Sequence, residues 1–238
     1  MSNTMQGSLV KAYLYKAEWK LTYSGSSGAF KLRVGNEETA NIDVSIVPSE
    51  LETALEGLSF FSSGDVSVSG SSSPVTITLT GDYAFSGIPF EIASADSGVT
   101  VSIARSFPSS PLSLTEANGF YTMGLETNFE KSRDQDTQDI TNKESGRFKE
   151  TVSQTRTITL NADYFYLTTA NYEKLKNQYE LGYSVVICDV SPHTTTTNQD
   201  LCFSTCNITS LSKTASYNEV VAFTASFEVT GEPTTITD

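Results

Sequence analysis

The chain has 238 residues, 38% of them hydrophobic and 11% aromatic, which is enough for a packed core and too many for a disordered protein. Its formal net charge is −13, from 15 basic and 28 acidic residues. Because binding to phosphates needs a basic surface, this charge argues against nucleic acid as a tightly bound ligand. It does not argue against nucleic acid that passes through the protein and is weakly repelled by it. The first ten residues and the rest of the chain show neither a secretion signal nor a run as long as a membrane span, so we expect no membrane contact.

Short apolar stretches between turn residues predict a mainly β fold. A first strand is predicted within residues 8–16. From residue 18 the pattern changes to short strands around a helix. The strands WKLTY and AFKLRV precede a helix in PSELETALEGL, for which Ser49 and Glu52 are predicted to form a capping box. Further strands are predicted at residues 66–69, 75–80, 89–93 and 99–104. With a helix and strands of its own, this stretch has the size of an independent domain.

The second half begins with two strands of alternating pattern, at residues 123–129 and 155–162. Between them, residues 131–153 contain almost no large apolar side chain and mix acids with bases, which predicts a long charged loop. A helix is predicted from Thr168 or Thr169 to Gly182, with Tyr172, Leu175 and Tyr179 on its apolar face. The remaining strands are YSVVICDV, LCFSTCNITSL and EVVAFTASFEVTG, and the three cysteines within them are predicted to be free thiols.

The second half resembles the major tail tube proteins of long-tailed phages, of the TP901-1-like type. The resemblance is carried by GLETNFEKS, TRTITLNADYF and the helix that leads into SVVICDV, and above all by DITNKESGRFKE (residues 139–150) and SFEVTG (residues 226–231). It covers about half the chain. Residues 28–104 resemble a small module found in phage and other surface-exposed proteins. We therefore predict a β domain made of residues 1–17 and 108–238, interrupted by a small inserted α+β domain at residues 18–107.

The resemblance implies a β-sandwich flanked by one α-helix, whose copies form hexameric rings stacked into a tube through which DNA leaves without specific binding. It also implies the tape measure, tail terminator and tail-tip proteins as partners, and the virion tail, assembled in the host cytoplasm, as the location. The insert is expected on the outside of the tube, because a domain of that size would block the channel. It is further expected to be dispensable for the tube.

The charged loop is the predicted contact between one ring and the next, because its ends are fixed by strands while its tip can reach outwards. Phe148 is its single large aromatic residue and the predicted anchor. The predicted contact residues are Arg133, Asp134, Asp136, Asp139, Lys143, Glu144, Arg147, Phe148, Lys149 and Glu150.

No cofactor, metal or catalytic site is predicted. Asp134, Asp136 and Asp139 begin like a calcium loop, but the later ligand positions do not fit. The spacing of Cys188, His193, Cys202 and Cys206 is irregular for zinc, and the single histidine has no partner marked out for catalysis.

Two alternative functions stay open at this point. One is a tube subunit of a contractile injection device. The other is a carbohydrate-binding or adhesive β-sandwich protein, with the insert and a tyrosine-rich surface as its binding face. Assembly distinguishes them, since a tube protein forms rings or polymers and a lectin-like module does not.

Overall fold

The computed structural model describes residues 11–108, 114–123, 125–139, 151–165, 170–192, 199–214 and 221–237. In these ranges the prediction of a mainly β fold is confirmed. The helices are α1 (Pro48–Glu56) and α2 (Ala170–Leu181), and no described helix is long and apolar enough to cross a membrane. The strands are β1 (Lys11–Tyr15), β2 (Glu18–Ser24), β3 (Ala29–Val34), β4 (Glu37–Glu38), β5 (Ile42–Asp43), β6 (Val66–Ser69), β7 (Val75–Leu79), β8 (Phe90–Ala95), β9 (Thr100–Ser106), β10 (Phe120–Tyr121), β11 (Leu125–Asp139), β12 (Thr151–Phe165), β13 (Val185–Pro192), β14 (Gln199–Thr214), β15 (Ala222–Val229) and β16 (Thr234–Thr237).

Eight strands form one large antiparallel sheet in the order β10-β1-β13-β14-β15-β12-β11, with β16 also paired to β14. Strand β14 belongs to both halves of this sheet, because residues 199–206 pair with β13 and residues 206–214 pair with β15. Leu14 of one half and Leu160 of the other lie in the same buried cluster, together with Leu175 of α2. The two halves therefore pack face to face as a sandwich with α2 at its flank, as predicted.

Strand β13 is buried on both faces, which explains its unbroken apolar sequence. Val185 and Ile187 face the core between the two halves, whereas Val186 and Cys188 face a second cluster that is rich in aromatic residues. The three cysteines of β13 and β14, Cys188, Cys202 and Cys206, are free, as predicted, and all three are buried.

The insert has two sheets of its own, β6-β7-β2-β9 and β4-β3-β5 with β8 paired to β3. They enclose a separate apolar core with α1, to which Trp19, Leu21, Phe30, Leu51 and Leu55 contribute. The predicted strand at residues 66–69 is confirmed to the residue, and the others agree within two residues.

The predicted capping box of α1 is wrong. Pro48 is the first residue of the helix, where its fixed φ is favourable, so the helix begins two residues earlier than the box requires. The side chain of Glu50 accepts the N–H of Val47 at 3.5 Å. Glu52 instead accepts the N–H of Val68 at 2.9 Å and ties the helix to β6.

The predicted apolar face of α2 is correct for Tyr172 and Leu175 and wrong for Tyr179, which is 41% exposed. Gln178 is buried in its place, and its side-chain amide donates to the backbone carbonyl of Asp82 in the insert. A buried amide is tolerated where it has such a partner. The two candidate capping threonines, Thr168 and Thr169, lie outside the described residues.

Gly182 follows α2 with a φ of +71°, the left-handed conformation predicted for the end of this helix. A Cβ at this position would meet no atom within 4 Å, so the cost of Gly182→Ala is purely conformational. We expect this substitution to lower the free energy of unfolding by about 1–2 kcal/mol in urea titrations. Gly57→Ala is the matched control, because Gly57 ends α1 with a right-handed φ of −74°. An equal effect of the two substitutions would contradict the prediction.

Candidate assembly interface

The predicted loop at residues 131–153 is largely a β-hairpin. Strands β11 and β12 pair from Leu125 and Phe165 at one end to Asp139 and Thr151 at the other. The prediction of a loop is therefore wrong for residues 131–139 and 151–153, and residues 140–150 lie outside the described residues. Sequence periodicity did not indicate these strands because both of their faces are polar, and backbone pairing rather than burial of a face forms them.

The far end of this hairpin leaves the body of the protein. Strand β15 pairs with β12 only from Thr159 to Phe165, so residues 133–139 and 151–158, called the arm below, form a two-stranded ribbon. Two-stranded ribbons are marginally stable alone in water. The arm is therefore a surface that gains from being covered by another protein chain.

Four of the ten predicted contact residues lie in the arm. The side chains of Arg133, Asp134 and Asp136 are exposed, and Asp139 pairs with Thr151 in the sheet register. The other six lie outside the described residues: Lys143, Glu144, Arg147, Phe148, Lys149 and Glu150.

A buried ion pair fixes the base of the arm. The Lys131 Nζ lies 2.8 Å and 3.0 Å from the two carboxylate oxygens of Asp189 in β13, and 3.3 Å from the Cys202 Sγ in β14. The two charged side chains are 15% and 6% exposed. The pair ties β11 to β13 across the sandwich. Lys131 lies in the region predicted as a charged loop. The sequence signal for its contact is Asp189 within the apolar run YSVVICDV, because a buried carboxylate needs a cation as its partner.

A second contact joins β11 to β1. Glu126 accepts the N–H of Ala12 through its Oε2 at 2.8 Å, on the edge of β1. Burial raises the pKa of Glu126, while the Ala12 N–H and the charge of Lys11 act in the opposite direction. Strand β11 is thus held to the other half of the sheet at two points, of which the one at Lys131 lies at the base of the arm.

A groove of about 640 Å³ lies between the arm and residues 229–235. Its lining carries both signs of charge, including Arg133, Asp134, Arg156 and Glu232. Such a groove suits a protein surface that also carries both signs of charge. Among the described residues, no three His, Cys, Asp or Glu side chains are placed to hold a metal ion.

The outer face of β11, β12 and β15 is polar and is organised around Asp163. Thr224 Oγ1 donates to Asp163 Oδ1 at 2.8 Å, and Thr127 Oγ1 donates to the Asp163 carbonyl at 3.0 Å. On β12, Thr157 and Thr159 lie on this same face, opposite the buried Leu160. This half of the sheet therefore has one apolar face in the core and one wet face.

Residues 112–235 match the sequence profile of the family described as phage tail tube protein. No curated protein sequence matches the chain. The tail of an empty gene transfer agent particle is similar with a TM-score of 0.44 and 18% identity, over 52% of this chain and 90% of that one. The tail tube of SPP1 is similar with a TM-score of 0.39 and 11% identity, over 48% of this chain and 66% of that one.

Proposed function

The chain belongs to the phage tail tube protein family, and from this premise we propose that its copies close into hexameric rings that stack into the DNA-ejection conduit of a phage tail. The protein is a structural subunit of the virion tail. The observation that carries the proposal of ring closure is the position of β11. It is the last strand of the large sheet, 15 residues long, with no further strand on its outer edge among the described residues. Soluble proteins cover such edges, and a neighbouring copy supplies the cover here.

The contact between successive rings is assigned to the arm and to the connecting residues 140–150. Its support is the projection of the arm beyond the body, together with the exposed charges of Arg133, Asp134 and Asp136. A single exposed ion pair contributes about 0.2–1 kcal/mol. Repetition around a ring adds such terms, so stacking is firm and weakens with salt.

The wet face around Asp163 is the face proposed for the lumen. Its threonines, carboxylates and hydroxyl hydrogen bonds suit a hydrated channel, and the net charge of −13 supports passage of DNA without specific binding. The insert is proposed to lie on the outside of the tube, because a domain of that size would block the channel. The tape measure, tail terminator and tail-tip proteins as partners, assembly in the host cytoplasm and the lack of any catalytic activity are proposed on family membership alone.

The first test of this function is assembly. We expect the purified chain to form rings with six-fold symmetry and stacked tubes in negative-stain electron micrographs. Raising the salt concentration from 0.1 M to 1 M shortens the Debye length from about 10 Å to about 3 Å and should shorten the tubes while leaving the rings. A species that sediments as a monomer at all concentrations, with no rings on the grid, would overturn the proposal.

A further inference from the structure

The insert contains a connecting segment that is buried throughout. Loops normally run over the surface, because their backbone groups need water. Residues 83–88, called the linking segment below, lie in the connection between β7 and β8 and are all buried. Some of its backbone groups bond within the connection, as the Ser86 N–H does to the Tyr83 carbonyl, and others bond to another part of the chain.

That other part is the start of β13 in the large sheet. Ser86 forms an antiparallel bridge with Val185. The Gly87 N–H donates to the Ser184 carbonyl at 2.7 Å, and the Val186 N–H donates to the Phe85 carbonyl at 3.2 Å. The linking segment thus extends the hydrogen bonding of β13.

The side chains of the linking segment enter both cores. Phe85 is 1% exposed and belongs to the core between the halves of the large sheet, with its ring 5.0 Å from that of Tyr121. Tyr83 belongs to the core of the insert, and its ring lies 5.4 Å from that of Tyr183. One short segment therefore supplies core residues on both sides of the junction.

Arg105 strengthens the same junction from β9. Its guanidinium donates to Thr205 Oγ1 in β14 and, at 3.1 Å, to the Gly87 carbonyl, and it lies 4.6 Å from the ring centroid of Trp19. Gly87 has no room for a side chain, since a Cβ there would lie 2.7 Å from Thr205 Cγ2. The junction is closely packed and hydrogen-bonded.

We infer that the linking segment makes the insert and the large sheet a single cooperative folding unit, with the insert held in one orientation. The division at residues 17/18 and 107/108 separates the sheets, but the linking segment serves both. Replacing residues 18–107 by a short linker would remove Phe85 from the core of the sheet and leave one edge of the start of β13 unpaired, while its other edge stays paired with β14. The insert is then a fixed part of the subunit rather than a dispensable attachment.

Trp19, the single tryptophan of the chain, lies in the insert and gives a test on the full-length protein below its assembly concentration. Leu160→Ala opens a cavity in the core of the large sheet, where Leu160 is fully buried. If the units are coupled, it lowers the midpoint of the Trp19 fluorescence transition by about 5–15 °C, together with the midpoint seen by circular dichroism. Ile92→Ala, at a side chain that is 39% exposed in the insert, is the control and should shift neither midpoint.

Two further variants keep the outcome decisive. Ile187→Val removes one methylene from the same core and serves if Leu160→Ala does not fold. Phe85→Ala combined with Arg105→Ala, which removes the side-chain contacts of the junction, should separate the Trp19 fluorescence midpoint from the midpoint seen by circular dichroism. A Trp19 midpoint that stays unchanged while Leu160→Ala or Ile187→Val lowers the dichroism midpoint would overturn the inference.

Discussion

A chain whose arm is cut back to a tight turn is expected to fold normally and to form no long tubes. Asp134 and Thr157 lie directly opposite each other in the hairpin, so replacing residues 135–156 by Asn-Gly joins them through a two-residue turn of the favoured type. The Lys131–Asp189 ion pair and the core below it remain. Of the contact residues proposed between rings, only Arg133 and Asp134 remain, which makes this the largest expected effect on assembly.

The measurement is the length distribution of tubes in electron micrographs, with circular dichroism and thermal unfolding as checks on the fold. Arg133→Asp combined with Asp134→Arg is the companion variant, because it keeps the length and the net charge of the arm. Loss of tubes in the shortened chain alone indicates that stacking requires the length of the arm. Loss of tubes in both variants indicates that stacking requires the charge pattern of the arm. Tubes of normal length from the shortened chain would show that the arm does not join rings.

The second large effect is expected at the base of the arm. Lys131→Met leaves the Asp189 carboxylate buried without its cation, which costs about 3–5 kcal/mol of unfolding free energy. Replacing both residues, Lys131→Met with Asp189→Leu, should recover most of this loss, because an apolar pair of similar volume is often as stable as a buried ion pair. Urea unfolding of the unassembled chain measures both.

Lys176→Met is the matched control for this prediction. Lys176 and Glu180 form an exposed pair at 3.5 Å on α2, with side chains 48% and 58% exposed. Its removal should cost less than about 0.5 kcal/mol. If Lys131→Met is no more destabilising than Lys176→Met, the buried pair does not hold the arm.

Local pattern was enough to predict most of the elements. In strands such as β2 and β15, which bury one face, apolar and polar side chains alternate, and this alternation predicts a half-buried strand. The strands of the arm are polar on both faces and lack this alternation, so their sequence predicts a loop. The left-handed conformation of Gly182 could be predicted because a glycine directly after the last turn of a helix usually adopts it. The start of α1 was not predicted correctly, because Pro48 and not Ser49 determines where the helix begins.

The contacts that position the candidate interface join residues far apart in the chain. Lys131 and Asp189 are 58 positions apart, and Gln178 reaches Asp82 over 96. Periodicity describes only one element at a time, so it cannot identify such partners. The sequence around Phe85 is equally consistent with a core residue of the insert, whereas in the structure Phe85 lies in the core of the large sheet. The role of the ten predicted contact residues stays a prediction.

The buried cysteines of the large sheet have a consequence for redox chemistry. Burial raises the pKa of the Cys188 and Cys206 thiols well above the usual range of cysteine. Disulfide exchange and oxidation both proceed through the thiolate, which these two side chains almost never form near neutral pH. Cys188 and Cys206 therefore resist disulfide formation in oxidising surroundings because of where the fold places them, and no disulfide is needed to protect them.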